Sequence, residues 1–413
     1  MKSSKKIGIL DCNNFYVSCE RVFDPSIKNK PTVVLSNNDG CVIARSQEIK
    51  KMGIKMGTPF FEIKDLISEK DIQVYSSNYN LYGDMSDRIM SIIKNVIGID
   101  KVEIYSIDEA FLDLTSIDEN DLHSILSNLK ETIFKITGVP VSIGVAPNKT
   151  LAKLCNYISK NEPSYCNLYI YESNGITDKK LENLNVGEIW GIGRQWSKKL
   201  EKNQIKNISD LKKIPQKWVK KNLTVLGEKT YLELHGYYCH QFNNTFKEKK
   251  IINTSRSFGK PITDYSHIKE ALFSFSKSAV NKLQKNNLLT SKINVFLLTD
   301  RFKDNFIYKE NKIKLDLSTD NFELLWSNIN KLGLEIYDEN IEYKKCGITF
   351  SDLTSHRNLQ LSLFDNTTII NTHEINILNS QIIVDDKPWQ LKKEYISQNY
   401  TTSWDQIPKV YCN

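Results

Sequence analysis

Apolar residues along the chain recur with two different spacings. Ile7-Gly8-Ile9-Leu10 is a short apolar run and predicts a buried strand. Two further strand-like runs, residues 101–105 and 110–114, flank a polar tip. Between residues 121 and 134, Leu122, Ile125, Leu126, Leu129 and Ile133 return at helical spacing. Val141-Ser142-Ile143-Gly144-Val145 predicts another strand. After it, Asn148 is placed to cap a helix whose Leu151, Leu154 and Ile158 face inward. Strand, hairpin, helix, strand, helix is an α+β pattern, with helices expected on one face of a mostly antiparallel sheet.

The pattern changes near Tyr171. Residues 178–238 read as short helices separated by Gly and Pro and rich in lysine, and residues 242–250 as a polar linker. From 251 to 350 strands alternate with two amphipathic helices, near 267–285 and 321–333, which predicts a second, smaller α+β unit. Beyond Ser351 the periodicity fades, and a tail is expected rather than a core.

Composition narrows the class. The 413 residues carry 56 Lys+Arg against 49 Asp+Glu, a net +7 that permits nucleic-acid binding and serves equally as a solubility charge. No apolar run approaches the ~20 residues of a membrane span, and the run after Met1 to Lys6 is too short for a signal peptide. Eight cysteines lie dispersed with no CxxC pair, and His235, Cys239 and His240 lack a second ligand pair at zinc spacing. Dispersed thiols fit a reducing, cytoplasmic compartment.

Acidic groups stand where strands end: Asp11 after the first run, and Asp108-Glu109 at the hairpin tip. Clustered carboxylates are costly unless neutralised, and a hard divalent cation bound by oxygens does so. On spacing alone, a turn dipeptide and a strand-end cap account for them as well.

The surrounding motifs weigh against that plainer reading. Asp11-Cys12-Asn13-Asn14-Phe15-Tyr16-Val17-Ser18-Cys19-Glu20 and Tyr105-Ser106-Ile107-Asp108-Glu109-Ala110-Phe111 are accompanied by several others along the chain. These are the stretch from Val33 to Arg45, Ser77-Asn78-Tyr79, Asn148-Lys149-Thr150-Leu151-Ala152-Lys153, Trp190-Gly191-Ile192-Gly193-Arg194 and Ser255-Arg256-Ser257-Phe258-Gly259. Together, over residues 5 to 365, they resemble the Y-family, translesion-type DNA polymerases, most closely the UmuC branch. The resemblance implies a multidomain α+β right hand: palm (1–15 and 78–170), fingers (16–77), helix-hairpin-helix thumb (171–241), linker (242–250), little finger (251–352) and C-terminal tail (353–413).

Carried onto matching positions, the resemblance makes Asp11, Asp108 and Glu109 catalytic ligands of two Mg²⁺ ions, with the Cys12 backbone carbonyl completing one sphere. Tyr16 falls at the steric gate, where a ring beneath the sugar leaves no room for a 2′-hydroxyl. Phe15 packs either under the nucleotide or into the palm. Ile43 is expected to roof the nascent base pair. Arg45, Lys50 and Lys160 are expected to meet the nucleotide. Gln47-Glu48-Ile49-Lys50 departs from a Tyr-x-x-Arg pattern, so a point charge replaces a bidentate fork. Gly191, Gly193 and Arg194 are expected to grip DNA phosphate, as is Arg256 at a strand edge. Gln360, Leu361, Leu363 and Phe364 resemble a docking peptide for the β sliding clamp.

The function implied is error-prone translesion synthesis in the SOS response. The expected partners are damaged primer-template DNA, deoxynucleoside triphosphates, a UmuD'-like dimer and a RecA filament. A nucleotide cyclase shares paired carboxylates on a palm-like sheet but has no use for a hairpin thumb or clamp peptide.

Overall fold

The computed structural model describes residues 5–172, 176–243, 249–356 and 389–408. The run at Ile7 forms strand β1 (Ile7–Cys12), and helix α1 (Phe15–Phe23) follows it directly. A small sheet comes next, built from β2 (Thr32–Leu35), β3 (Val42–Arg45) and β4 (Gln73–Ser76), with helices α2 (Gln47–Lys51) and α3 (Lys64–Glu69) inserted before β4. Strand β2 pairs antiparallel with β3 and parallel with β4. Val33, Leu35, Val42, Ile49 and Phe60 give this part its own core.

Helix α4 (Tyr79–Ile97) then leads into the hairpin β5 (Val102–Ile104) and β6 (Glu109–Asp113), helix α5 (Glu119–Thr137), strand β7 (Val141–Ala146), helix α6 (Lys149–Asn161) and strand β8 (Leu168–Ile170). The five-stranded order is β5-β6-β1-β7-β8, and only β7 and β8 run parallel.

Helices cover both faces of this sheet, which corrects the one-face expectation. Leu10 and Cys12 pack with Leu81 and Met85 of α4 and with Leu126 and Leu129 of α5. Ile7, Ile9 and Phe111 pack with Leu151, Leu154 and Ile158 of α6. A strand apolar at consecutive positions is one buried on both sides, and the first run of the chain carries that signal. Gly144 in β7 sets how closely α6 approaches: a Cβ there would stand 2.1 Å from the Asn156 backbone nitrogen. At the helix start, Asn148 accepts from the Leu151 backbone N–H at 3.0 Å, as its capping role requires.

Four helices follow: α7 (Ile176–Glu182), α8 (Arg194–Lys202), α9 (Ile208–Lys213) and α10 (Gln216–Leu234), the last broken at Thr224 by a positive φ of 65°. Leu181, Val186, Leu200, Leu211 and Val219 join the α6 core. The side-chain amide of Asn148 donates to the carbonyls of Glu233 (2.8 Å) and Tyr237 (2.9 Å), joining the helical part to the start of α6.

Phe246–Lys393 forms a second compact unit. It contains β9 (Ile252–Ile262), α11 (Tyr265–Lys285), β10 (Leu288–Leu298), β11 (Tyr308–Thr319), α12 (Phe322–Ile336) and β12 (Tyr343–Ser355). The order is β11-β10-β12-β9, all antiparallel, with both helices against one face. The expected tail is corrected at three places. Strand β12 runs on to Ser355, and Trp389 is buried in the second core with its indole N–H donating to Glu270. Residues 394–400 pack back onto the first unit. Among the described residues no helix is long and apolar enough to cross a membrane.

Candidate active site

Antiparallel pairing places Asp11 of β1 directly opposite Glu109 of β6. Side chains alternate along a strand, so Asp11 shares a face with Ile7 and Ile9, and Glu109 with Phe111. That is the face covered by α6. Lys160 of α6 meets Asp11 at 2.5 Å and Lys153 meets Glu109 at 2.9 Å. Asp108 accepts the Ser106 hydroxyl at 2.5 Å, and its carbonyl accepts the Cys12 N–H at 2.9 Å, closing the hairpin tip onto the end of β1. Immediately beyond, Asn14 takes a left-handed backbone (φ 48°), a strained turn that asparagine tolerates and that starts α1 at this point.

Burial pushes the Asp11 carboxyl from 3.8 up to about 6; Lys160 opposes that rise, while the charges of Glu109 and Asp108 add to it. The three anions therefore share one electrostatic neighbourhood. Among the described residues no three His, Cys, Asp or Glu side chains are arranged to hold a metal ion. Two of the carboxylates point to lysine ammonium groups instead. The donors are nonetheless hard oxygens whose mutual repulsion cations already relieve, and such a set fits a divalent cation.

Tyr16 stands beside this cluster, where burial and then the charges of Tyr79 and Asp108 raise its phenol pKa. Its ring lies flat on Tyr82 (4.3 Å, 14°) and edge-on to Tyr79 (6.2 Å). Phe15 is 4% exposed within the core, so of its two open places it takes the one in the sheet's packing and shows no free face to a nucleotide. Ile43 is half-buried at the end of the small sheet. Arg45 donates to the Ile54 carbonyl. Lys50 is exposed, and its pKa falls through partial burial and the like charges of Lys160 and Arg45. Lys50 therefore feels the charges of Lys160, Arg45 and Asp11 together.

Residues 10–157 match the model of the impB/mucB/samB family, and residues 249–363 match that family's C-terminal domain. The chain is 34% identical to Protein UmuC of Salmonella typhimurium, over 98% of its own length and 99% of the relative's. It belongs to the UmuC branch of the Y-family DNA polymerases. Protein ImpB of the same species is also 34% identical, over 97% of this chain and 98% of the relative. DNA polymerase IV of Picrophilus torridus is 27% identical over 86% of this chain and 98% of the relative. Among solved structures, a Dbh-based Y-family DNA polymerase chimera superposes with a TM-score of 0.68 at 21% identity, covering 85% of this chain and 99% of that one. The chain is a DNA-directed DNA polymerase of the translesion class.

Before α8 Gly191 has φ +88°, a conformation that favours glycine, and Gly193 is the N-cap of α8, with Arg194 exposed at its first position. Trp190 turns inward, its indole N–H donating to the Tyr105 hydroxyl at 3.0 Å. Arg256 lies on the edge strand β9. It is opposite Cys346 on the helix-covered face, with its guanidinium 5.5 Å from the Phe275 ring. The open face of that sheet instead carries Lys292, Lys312, Lys314 and Lys345, which sequence reasoning missed. Gln360, Leu361, Leu363 and Phe364 lie outside the described residues. Lys153 was missed as the partner of Glu109, although its seven-residue interval to Lys160 places both on one face of a helix.

Proposed function

We propose that this polymerase performs error-prone translesion synthesis in the SOS response by two-metal nucleotidyl transfer at Asp11, Asp108 and Glu109. The observation carrying the reading is that Asp11, Asp108 and Glu109, from β1 and the β5–β6 hairpin, act on one another electrostatically, with Tyr16 beside them, Lys160 paired to Asp11 and Lys50 within the field of Asp11. These carboxylates and the Cys12 carbonyl would hold two Mg²⁺ ions, whose charge lowers the barrier to displacement at the nucleotide's α-phosphate. Lys160 and Lys50 bind the triphosphate, and Arg45 orients it from the fingers. Tyr16 supports the sugar and excludes a 2′-hydroxyl. Lys153 holds Glu109 in place between turnovers. Ile43 closes over the base pair.

The template is gripped without base readout, by the thumb's glycine turn with Arg194 and by the lysines on the open face of the little finger. The structural relatives include an insertion ternary complex of Dbh DNA polymerase, with a TM-score of 0.57 at 22% identity over 85% of this chain and 99% of that one, which supports DNA and nucleotide as ligands. A UmuD'-like dimer, a RecA filament and a β clamp docked through residues 360–364 are the proposed partners. Primer extension across an abasic template with Mg²⁺, with and without those three, tests the assignment. Bypass that needs Asp108 supports it, and bypass by the Asp108→Asn variant overturns it.

A further inference from the structure

The gate tyrosine does not stand on its own helix alone. Tyr16 rests face to face on Tyr82, and the Tyr82 hydroxyl donates to Glu20 Oε1 at 2.6 Å. Glu20 lies one helical turn beyond Tyr16 on α1, so both ends of the Tyr82 ring are tied to one helix. The same carboxylate oxygen accepts the Ser397 hydroxyl at 3.1 Å, while Oε2 is buried with no hydrogen-bond partner among the described residues. Ser397 comes from the C-terminal segment, within residues 372–410 matched to a domain of unknown function (DUF4113).

That segment is attached at several points. The Ser76 N–H donates to the Tyr395 carbonyl (2.9 Å), the Tyr395 N–H donates to Ser76 Oγ (3.0 Å), and Ile396 bridges Ser76 in parallel. Asn78 uses both ends of its amide. Its oxygen caps α4 by accepting from Leu81, and its nitrogen donates to the Ser397 hydroxyl (3.1 Å) and to the Gln398 carbonyl (3.1 Å). Farther out, Tyr400 stacks on Phe23 of α1 at 4.8 Å and 8°. Residues 394–400 therefore bind the two helices that carry Tyr16 and Tyr82 and fix them to each other.

We propose that residues 394–400 are a positioning element for the sugar gate, acting through Ser397, Glu20 and Tyr82 on the Tyr16 ring. The proposal rests on reading Tyr16 as the gate. A ring that excludes one hydroxyl works only if it cannot yield by a fraction of an ångström, and a second ring pinned through its hydroxyl supplies that stiffness.

The test uses the full chain bound to a dideoxy-terminated primer-template with Mg²⁺, comparing Kd for the matching deoxynucleotide with Kd for its ribonucleotide. Tyr16→Ala is expected to collapse the ratio. Tyr82→Phe, which keeps the ring and removes the hydroxyl, and Ser397→Ala, a small change at a half-exposed site, are each expected to lower it about 3- to 10-fold. Their melting temperatures should stay close to that of the unmodified chain. Glu20→Gln keeps an oxygen for both hydroxyls and should retain the ratio. A ratio that collapses in Tyr16→Ala but is unchanged in both Tyr82→Phe and Ser397→Ala overturns the inference and leaves the gate standing. A ratio unchanged in Tyr16→Ala overturns the gate and the inference with it.

Discussion

Lys160 and Asp11 form an ion pair of 2.5 Å, joining α6 to the central strand of the five-stranded sheet at the place where nucleotide chemistry is proposed. A lysine held there by a carboxylate is a charge ready for a triphosphate. Lys160→Met is expected to raise KM for deoxynucleotide about tenfold, with kcat changed less, and Lys160→Arg to recover part of the loss. Steady-state incorporation against nucleotide concentration measures both. An unchanged KM would place Lys160 outside the triphosphate site.

Asp108 contributes a carboxylate to the anionic cluster and a backbone carbonyl to the strand junction, and only the first is altered by Asp108→Asn. Synthesis should fall by about 10²–10³-fold or more while Kd for primer-template stays within about twofold. Extension assays and fluorescence anisotropy separate the two quantities. A parallel loss of DNA affinity would point to a positioning role for Asp108.

The parts of this fold that were legible are those with strong local period. The strand at Ile7, the hairpin around Asp108 and the helices of residues 119–137 and 149–161 all form close to their expected bounds. Covering of the second sheet face was also encoded, by Ile7-Gly8-Ile9-Leu10 being apolar at consecutive positions, yet how closely α6 covers it depends on the backbone contact between Gly144 and Asn156, which no periodicity shows. The C-terminal segment was illegible for a different reason. Trp389, Tyr395 and Tyr400 follow no period: Trp389 is placed by its bond to Glu270 and its packing on Phe275, Tyr395 by its bond to Ser76 and Tyr400 by stacking on Phe23. At the site itself, motif resemblance proposed the carboxylates, which no periodicity marks, and it could not show the strand register that turns Arg256 toward Phe275.

Tyr16 is half-buried between two rings and near Asp108, so shortening it opens space where the sugar is proposed to lie without emptying the core. Tyr16→Ala is expected to narrow the preference for deoxy- over ribonucleotides by about 10–200-fold, the range that shape alone commands in a pocket. Competitive incorporation of the two nucleotides into one primer measures it. An unaltered preference would assign Tyr16 to packing.

Gly144 sets the depth of α6, and α6 carries both Lys153 and Lys160. A methyl at this position would meet backbone atoms of Ala152 and Asn156 at 2.4 and 2.1 Å, which no rotamer change relieves. Gly144→Ala should therefore cost about 1–3 kcal/mol or more and lower activity by displacing both lysines together. Thermal melting paired with nucleotide KM checks this. A variant with unaltered melting and KM would show that α6 has room to move.

Glu20 gives the protein a pH-dependent stability with a defined sign. Burial pushes its carboxyl from 4.5 up to about 7, hydrogen bonds from Tyr82 and Ser397 partly oppose the rise, and Asp24 adds to it. In the unfolded chain the group ionises near its ordinary value, so between pH 4.5 and 7 the folded form holds more protons. Stability is then lost as pH rises through that window, by roughly 2–4 kcal/mol for the full shift, and stays low above it. Glu20→Gln removes the titration while keeping an acceptor for both hydroxyls. Its stability relative to the unmodified chain should rise from pH 5 to about pH 7 and then level off toward pH 8, as read by denaturant unfolding of the two proteins side by side. A difference that stays flat over that range would mean the buried carboxylate is ionised throughout.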